Sequence, residues 1–214
     1  MTQDTHAVPG VPRVAVARAD GCHVICNHPG SMKLGKRWVE NIPPSDDPDA
    51  WVPAVSEIPS GSSCKYRLDK TTGQLELARA LPREVAYPTN YGFIPHTRCS
   101  ADDEETDVLV VSGEPLVPLT IVRARLVGGF VETTSDQEEP EERLVAAVVD
   151  DPSVERVHDI ADLDGKLREQ IETFVRTYKQ NQDVQVTFTG WFDRSTALDR
   201  LRRAFKRAKK RAAK

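Results

Sequence analysis

Cysteine is scarce and unclustered in this chain: Cys22, Cys26, Cys64 and Cys99 are too scattered over 214 residues to form a disulfide framework. That excludes a small stapled scaffold and leaves free thiols in a reducing compartment as the expectation. Long hydrophobic runs are missing as well. No stretch approaches the ~18 consecutive apolar residues of a membrane helix, and the N-terminus lacks a basic region followed by an apolar core, so a cytoplasmic protein without membrane contact is expected. Nor is there a large excess of charge of one sign. A net charge of -4 argues against a general nucleic-acid binder. What remains, 39% apolar and 29% charged residues, is the composition of a soluble chain long enough to bury one core.

The chain divides by composition at about residue 50. Residues 1–50 read as a partly disordered N-terminal extension and 51–214 as the folded domain. Within the extension, 13–17 and 23–25 are short strand candidates. Cys22, His23, Cys26 and His28 match no common zinc-finger spacing and read as incidental polar residues of a strand. Pro43, Pro44, Pro48 and Pro53, with Asp46, Asp47 and Asp49, mark a linker or surface-hugging segment.

Beyond Trp51 the pattern is mainly β with flanking helices, an α+β chain. Lys65–Asp69 and Gln74–Arg79 alternate around the turn signal Lys70-Thr71-Thr72-Gly73 and predict a hairpin carrying cations. Further strands are expected over 107–112, 120–127, 143–149 and 184–189, a set that suits a closed barrel. Leu163, Leu167, Ile171, Phe174, Val175 and Tyr178 recur at three or four and predict an amphipathic helix starting at Asp162 or Asp164. A last helix, 195–211, buries Leu198, Leu201 and Phe205. Its many Lys and Arg could attract an acidic partner, but it carries no stacking aromatics, so nucleic acid is not the expected partner and a docked helix with a solvated basic face is.

Two segments carry chemistry. Asp102-Asp103-Glu104-Glu105-Thr106-Asp107 puts five acids in six positions at the entrance of an apolar strand. Carboxylates this close repel and raise one another's pKa unless cations compensate. Oxygen donors without nearby His or Cys favour Mg2+, Mn2+ or Ca2+ over zinc; the alternative is a solvated acidic turn. Just upstream, Tyr87-Pro88-Thr89-Asn90-Tyr91-Gly92-Phe93-Ile94-Pro95 sets two tyrosines four apart, either donors for phosphate oxygens or an aromatic core turn. Cations of a hairpin facing carboxylates of another element are what a phosphate-plus-metal site requires.

These residues resemble the soluble, family I inorganic pyrophosphatases. The resemblance runs from Glu57-Ile58-Pro59 through Lys65-Tyr66, Arg79, the Tyr87–Pro95 block, the acidic run, Val149-Asp150-Asp151-Pro152, Tyr178-Lys179 and Gly190-Trp191, about three quarters of the chain, residues 57–213. It implies a five-stranded, OB-like closed barrel with a C-terminal helix, and a homo-oligomer. It also implies hydrolysis of pyrophosphate to two phosphates with several Mg2+ ions, Mn2+ being a possible substitute. By position, Asp102 and Asp107 correspond to metal ligands. Lys65, Arg79, Tyr91, Tyr178 and Lys179 correspond to groups holding pyrophosphate and phosphate, while Tyr87 and Glu57 support the site.

The departures are specific. The family signature is Asp-x-Asp-Pro-hydrophobic-Asp, whereas this chain has Glu104 at the second acid, the general-base position, and Thr106 at the apolar one. Arg67 stands where the family has Glu, replacing an acceptor by a cation that repels Mg2+. The acidic segment 133–144 is longer than its counterpart. Counting back from Leu144 makes Glu141 a metal ligand and Arg143 the substrate-binding cation, and an insertion makes Asp136 the other ligand; read by itself the segment is a solvated hairpin loop. Two functions stay open: a pyrophosphatase with a retuned site, or a diverged module that binds phosphate compounds with little or no turnover.

Overall fold

The computed structural model describes residues 38–100, 103–137 and 139–212. Strand β1 (Val52–Ile58) is buried along its whole length and is paired on both edges. It pairs antiparallel with β4 (Asn90–Ile94) on one side and with β6 (Ile121–Thr134) on the other. Next come β5 (Thr106–Val111), antiparallel to β4, and β7 (Glu141–Val148), parallel to β5 and antiparallel to β6. The order β1-β4-β5-β7-β6 therefore returns to β1 and closes a five-stranded ring, with β8 (Val186–Asp193) added outside it on β6. The hairpin of β2 (Cys64–Asp69) and β3 (Gln74–Ala80) forms a separate two-stranded sheet.

Period-two alternation sorts the strand side chains into two cores. Val108, Val110, Leu144, Ala146 and Val148 pack with Ala197, Leu198 and Leu201 of the C-terminal helix α2 (Arg194–Ala212). Their neighbours Leu109, Val111, Val145 and Ala147 point the other way, toward Ile171 and Val175 of α1 (Gly165–Thr177). Helix α1 starts at Asp164, whose carboxylate accepts the amides of Lys166 and Leu167 at 2.8 and 3.3 Å. Asp193 does the same for α2, accepting the Thr196 amide at 2.8 Å.

Glycine is required where strands approach most closely. A Cβ on Gly92 would lie 1.8 Å from the Val55 carbonyl oxygen across the β1–β4 pair. Gly128, with φ of +153°, sits at a bulge in β6 where a Cβ would lie 2.5 Å from the Phe192 carbonyl oxygen. That bulge lets β6 serve β1, β7 and β8 in turn, and it explains a difference from the sequence expectation. Val127-Gly128 looks like a strand end, yet the strand continues to Thr134. Likewise β7 begins at Glu141, so the acidic segment expected as loop is strand at both its ends, and β8 runs on to Asp193.

The segment 38–51 lies against the domain. Val39 and Ile42 are buried with Val55, Leu68 and Phe93, and the Asp49 carboxylate pairs with Arg202 at 2.8 Å. Other arginines of α2 also find partners within the chain: Arg200 lies 3.8 Å above the Phe192 ring and 3.1 Å from Glu142, and Arg211 pairs with Asp103. No helix among the described residues is long and apolar enough to cross a membrane. The expected strands at 13–17 and 23–25, and the Cys22–His28 cluster, lie outside the described residues.

Candidate active site

Parallel pairing of β5 with β7 sets Val108 opposite Leu144, so the entrances of these strands lie side by side and Asp107 adjoins Arg143. Glu141, two residues before Arg143, shares its face. Across the β6–β7 pair, Glu132 stands directly opposite Glu141. Like charges so placed repel. The Arg143 guanidinium compensates them: it pairs with Asp107 and Glu141, and its Nη2 lies 3.2 Å from Glu132. Burial alone would pull the Arg143 pKa down, but Tyr91 and the three carboxylates outweigh it and hold the guanidinium well above its ordinary value.

This cluster floors an open cleft of about 650 Å³. Seven acids line it (Glu57, Asp69, Glu76, Glu104, Glu105, Asp107, Glu141) against five bases (Lys65, Arg67, Lys70, Arg143, Lys179), so the cleft keeps a negative excess that a bound cation would relieve. The backbone of the acidic turn is held by the Cys99 amide donating to the Glu104 carbonyl at 2.7 Å, and Lys70 pairs with Glu105. Glu57, on β1, is 8% exposed and accepts the Leu68 amide at 2.6 Å. Burial pushes its pKa up to about 7; the Leu68 hydrogen bond opposes this and the Asp107 charge adds to it. Lys65 is shifted down by burial, with Asp107 acting in the opposite sense.

The hairpin delivers Lys65 and Arg79 as a directly opposed pair. Arg79 Nε and Nη2 are buried with no hydrogen-bond partner among the described residues, two orphaned donors suited to an anion. The Arg79 guanidinium and the Lys179 ammonium each lie 5.7 Å from the Tyr178 ring centroid. Tyr178, at the C-cap of α1, stacks on Phe174 and donates its hydroxyl to Glu132 at 3.1 Å. Tyr87 is packed between Tyr91 and Phe174. Burial raises the pKa of all three tyrosines, which keeps their hydroxyls protonated.

Of the residues singled out in the sequence, Lys65, Tyr91, Glu104, Asp107, Glu141, Arg143, Tyr178 and Lys179 line this cleft, with Glu57, while Arg79 and Tyr87 stand behind it. Asp136 is exposed in the β6–β7 turn, where, among the described residues, Gln137 lines the cleft. Asp102 lies outside the described residues. Glu132 was not singled out. Its signal was an acid in phase with Phe130 and Thr134, visible only if β6 is carried past its glycines.

The donor set suits a hard divalent ion: oxygen atoms only, with no His or Cys in the lining. Among the described residues no three such groups already converge as a ligand cage. Asp107 and Glu141 are engaged by Arg143, and Glu105 by Lys70. Mg2+ fits this arrangement, since it keeps waters and is commonly held by one or two carboxylates together with substrate phosphates.

A family model described as inorganic pyrophosphatase matches residues 54–209. The soluble inorganic pyrophosphatase of Zea mays is 37% identical over 147 residues, 69% of this chain and 67% of its own length. Soluble inorganic pyrophosphatase 2 of Chlamydomonas reinhardtii is 40% identical over 146 residues, 68% of this chain and 74% of its own. Among solved structures, the inorganic pyrophosphatase of Thermus thermophilus superposes with a TM-score of 0.74 at 33% identity, covering 80% of this chain and 98% of that one.

Proposed function

Since this chain belongs to the soluble, family I inorganic pyrophosphatases, we propose that it hydrolyses pyrophosphate to two phosphates in the cleft floored by Asp107 and Arg143, with Mg2+ as cofactor. The observation that carries this reading is one cleft in which oxygen-only acids face Lys65, Arg143 and Lys179, with Arg79, opposite Lys65 on the hairpin, keeping two buried donors unpartnered among the described residues. Asp107 and Glu141 are the described acids of the cleft that would hold the ion, with Asp102 as a further candidate. When bound, Mg2+ neutralises phosphoryl oxygens and acidifies a nearby water.

The protein's own groups do the rest. Lys65, Arg79, Arg143 and Lys179 bind the charged oxygens of the substrate, Tyr91 supplies a neutral hydroxyl, and Tyr87 packs behind it. Glu104 takes a proton from the attacking water as the new P–O bond forms; the bridging P–O bond breaks and its electron pair leaves with the second phosphate. A positioned base contributes on the order of 10²–10⁴ in rate and a displacement of about 1 Å can cost on the order of 100-fold, so the extra methylene of Glu relative to Asp bears on the rate of turnover rather than on binding.

The test is phosphate release from pyrophosphate as Mg2+ is titrated through the millimolar range, with Mn2+ as alternative and Asp107→Asn as control. Metal-dependent release that the control lacks supports hydrolysis. Pyrophosphate binding with no release above the control would instead favour the receptor reading, for which Arg67 and Glu104 are the motivating departures.

A further inference from the structure

Among the described residues Glu132 is the most buried carboxylate at the site, 2% exposed, and it does not line the main cleft. A carboxylate enclosed by Leu109, Phe130, Phe174 and Val175 costs stability unless it is paired, and an apolar residue would fill the same space more cheaply. Its partners account for it. Arg143 Nε donates to Glu132 Oε1 at 3.3 Å with Nη2 at 3.2 Å, and the Tyr178 hydroxyl donates to the same oxygen at 3.1 Å. One buried oxygen thus ties β7 to the end of α1.

The partners of Arg143 differ in what they can do next. Asp107 and Glu141 line the cleft and are candidates to turn toward a metal ion, which would release Nη1 and part of Nη2. Glu132, walled off below, stays on the Nε edge. Tyr178 is the second lever: with its hydroxyl fixed, its ring keeps a set face toward Arg79 and Lys179.

We propose that Glu132 is a positioning residue for the hydrolysis argued above. It anchors Arg143 by the Nε edge and Tyr178 by its hydroxyl, so that Arg143, Arg79 and Lys179 converge on one pyrophosphate. The proposal rests on the hydrolase reading, and the test separates the two.

Glu132→Gln keeps the shape and an acceptor oxygen but removes the charge. At saturating Mg2+ it is expected to raise KM for pyrophosphate on the order of 10- to 100-fold, the range for a lost hydrogen bond to a charged group, with a smaller change in kcat. In a Tyr178→Phe background the same change should have a smaller effect, because one of its two levers is already gone. An unchanged KM with only a lowered Tm would assign Glu132 to stability alone and overturn the proposal; so would effects that multiply independently in the double variant. The natural protein is assayed first. If it turns over and the Glu132 variants behave additively, the positioning role alone fails. If it binds pyrophosphate without turnover, the same cycle read as calorimetric Kd decides the role. If it neither hydrolyses nor binds pyrophosphate, the hydrolase reading fails and the proposal with it.

Discussion

Glu57→Gln should make the metal-free protein more stable, by an amount that depends on pH. Glu57 is 8% exposed and its pKa is pushed from 4.5 to about 7, chiefly by burial. Below pH 4.5 the group is protonated folded and unfolded, and contributes nothing. Between 4.5 and 7 the unfolded chain ionises while the folded one holds its proton, so folding takes up a proton and stability falls as pH rises. Above 7 the full cost remains, about 3 kcal/mol at 1.36 kcal/mol per pKa unit. Gln keeps an oxygen for the Leu68 amide, now at 2.6 Å, and carries no charge to bury. The variant should therefore match the natural protein near pH 4.5 and exceed it by about 3 kcal/mol at pH 8, roughly 6–12 °C in Tm for a chain of this size. Thermal and urea melts in chelator from pH 4.5 to 8 measure this. A difference that stays flat with pH, or a variant that is less stable at pH 8, would refute the argument. Loss of turnover in the stabilised variant would mark Glu57 as a charge kept for function.

Three further outcomes can be checked directly. Arg143→Met leaves Asp107, Glu132 and Glu141 facing one another and should cost about 3–5 kcal/mol in metal-free buffer, with part restored by millimolar Mg2+ in chemical denaturation; no restoration would argue against an ion taking up those acids. Arg67→Glu should lower the Mg2+ concentration giving half-maximal phosphate release, and an unmoved midpoint would make Arg67 a rim residue without influence on the metal. Gly92→Ala forces a Cβ against the Val55 carbonyl and should destabilise by more than about 3 kcal/mol, visible as a collapsed Tm or insoluble protein; a near-natural melt would mean that β1 and β4 can part.

The barrel could be anticipated because its strands alternate or run apolar, as at Val108–Val111, the β2–β3 hairpin because of its turn residues Lys70–Gly73, and α1 because its apolar residues keep helical spacing up to Tyr178. Strand lengths were harder. Gly128-Gly129 looks like punctuation, but in space it is where β6 bulges and begins to pair with β8, and local propensity carries no record of that pairing. Losing the end of β6 also hid Glu132, whose role depends on partners 11 and 46 residues away. Acids of like charge placed face to face, as Glu132 and Glu141 are, look improbable until the cation between them is located, and only the fold locates it. Lys65 and Arg79 could be placed together for the opposite reason: they alternate on two short strands about a clear turn, and the fold sets them directly opposite one another.

The parallel meeting of β5 and β7 also has a bearing on how the molecule is made. Antiparallel neighbours joined by a short turn can zip from the turn outward, but these two strands are separated by the whole of β6, so their pairing is a non-local contact that closes a long loop. Asp107 and Arg143 ride on that non-local seam. A chain in which β5 and β7 have not met holds Asp107 apart from the arginine that neutralises it. Formation of the Asp107–Arg143 pair in a refolding experiment would therefore time the meeting of these two strands.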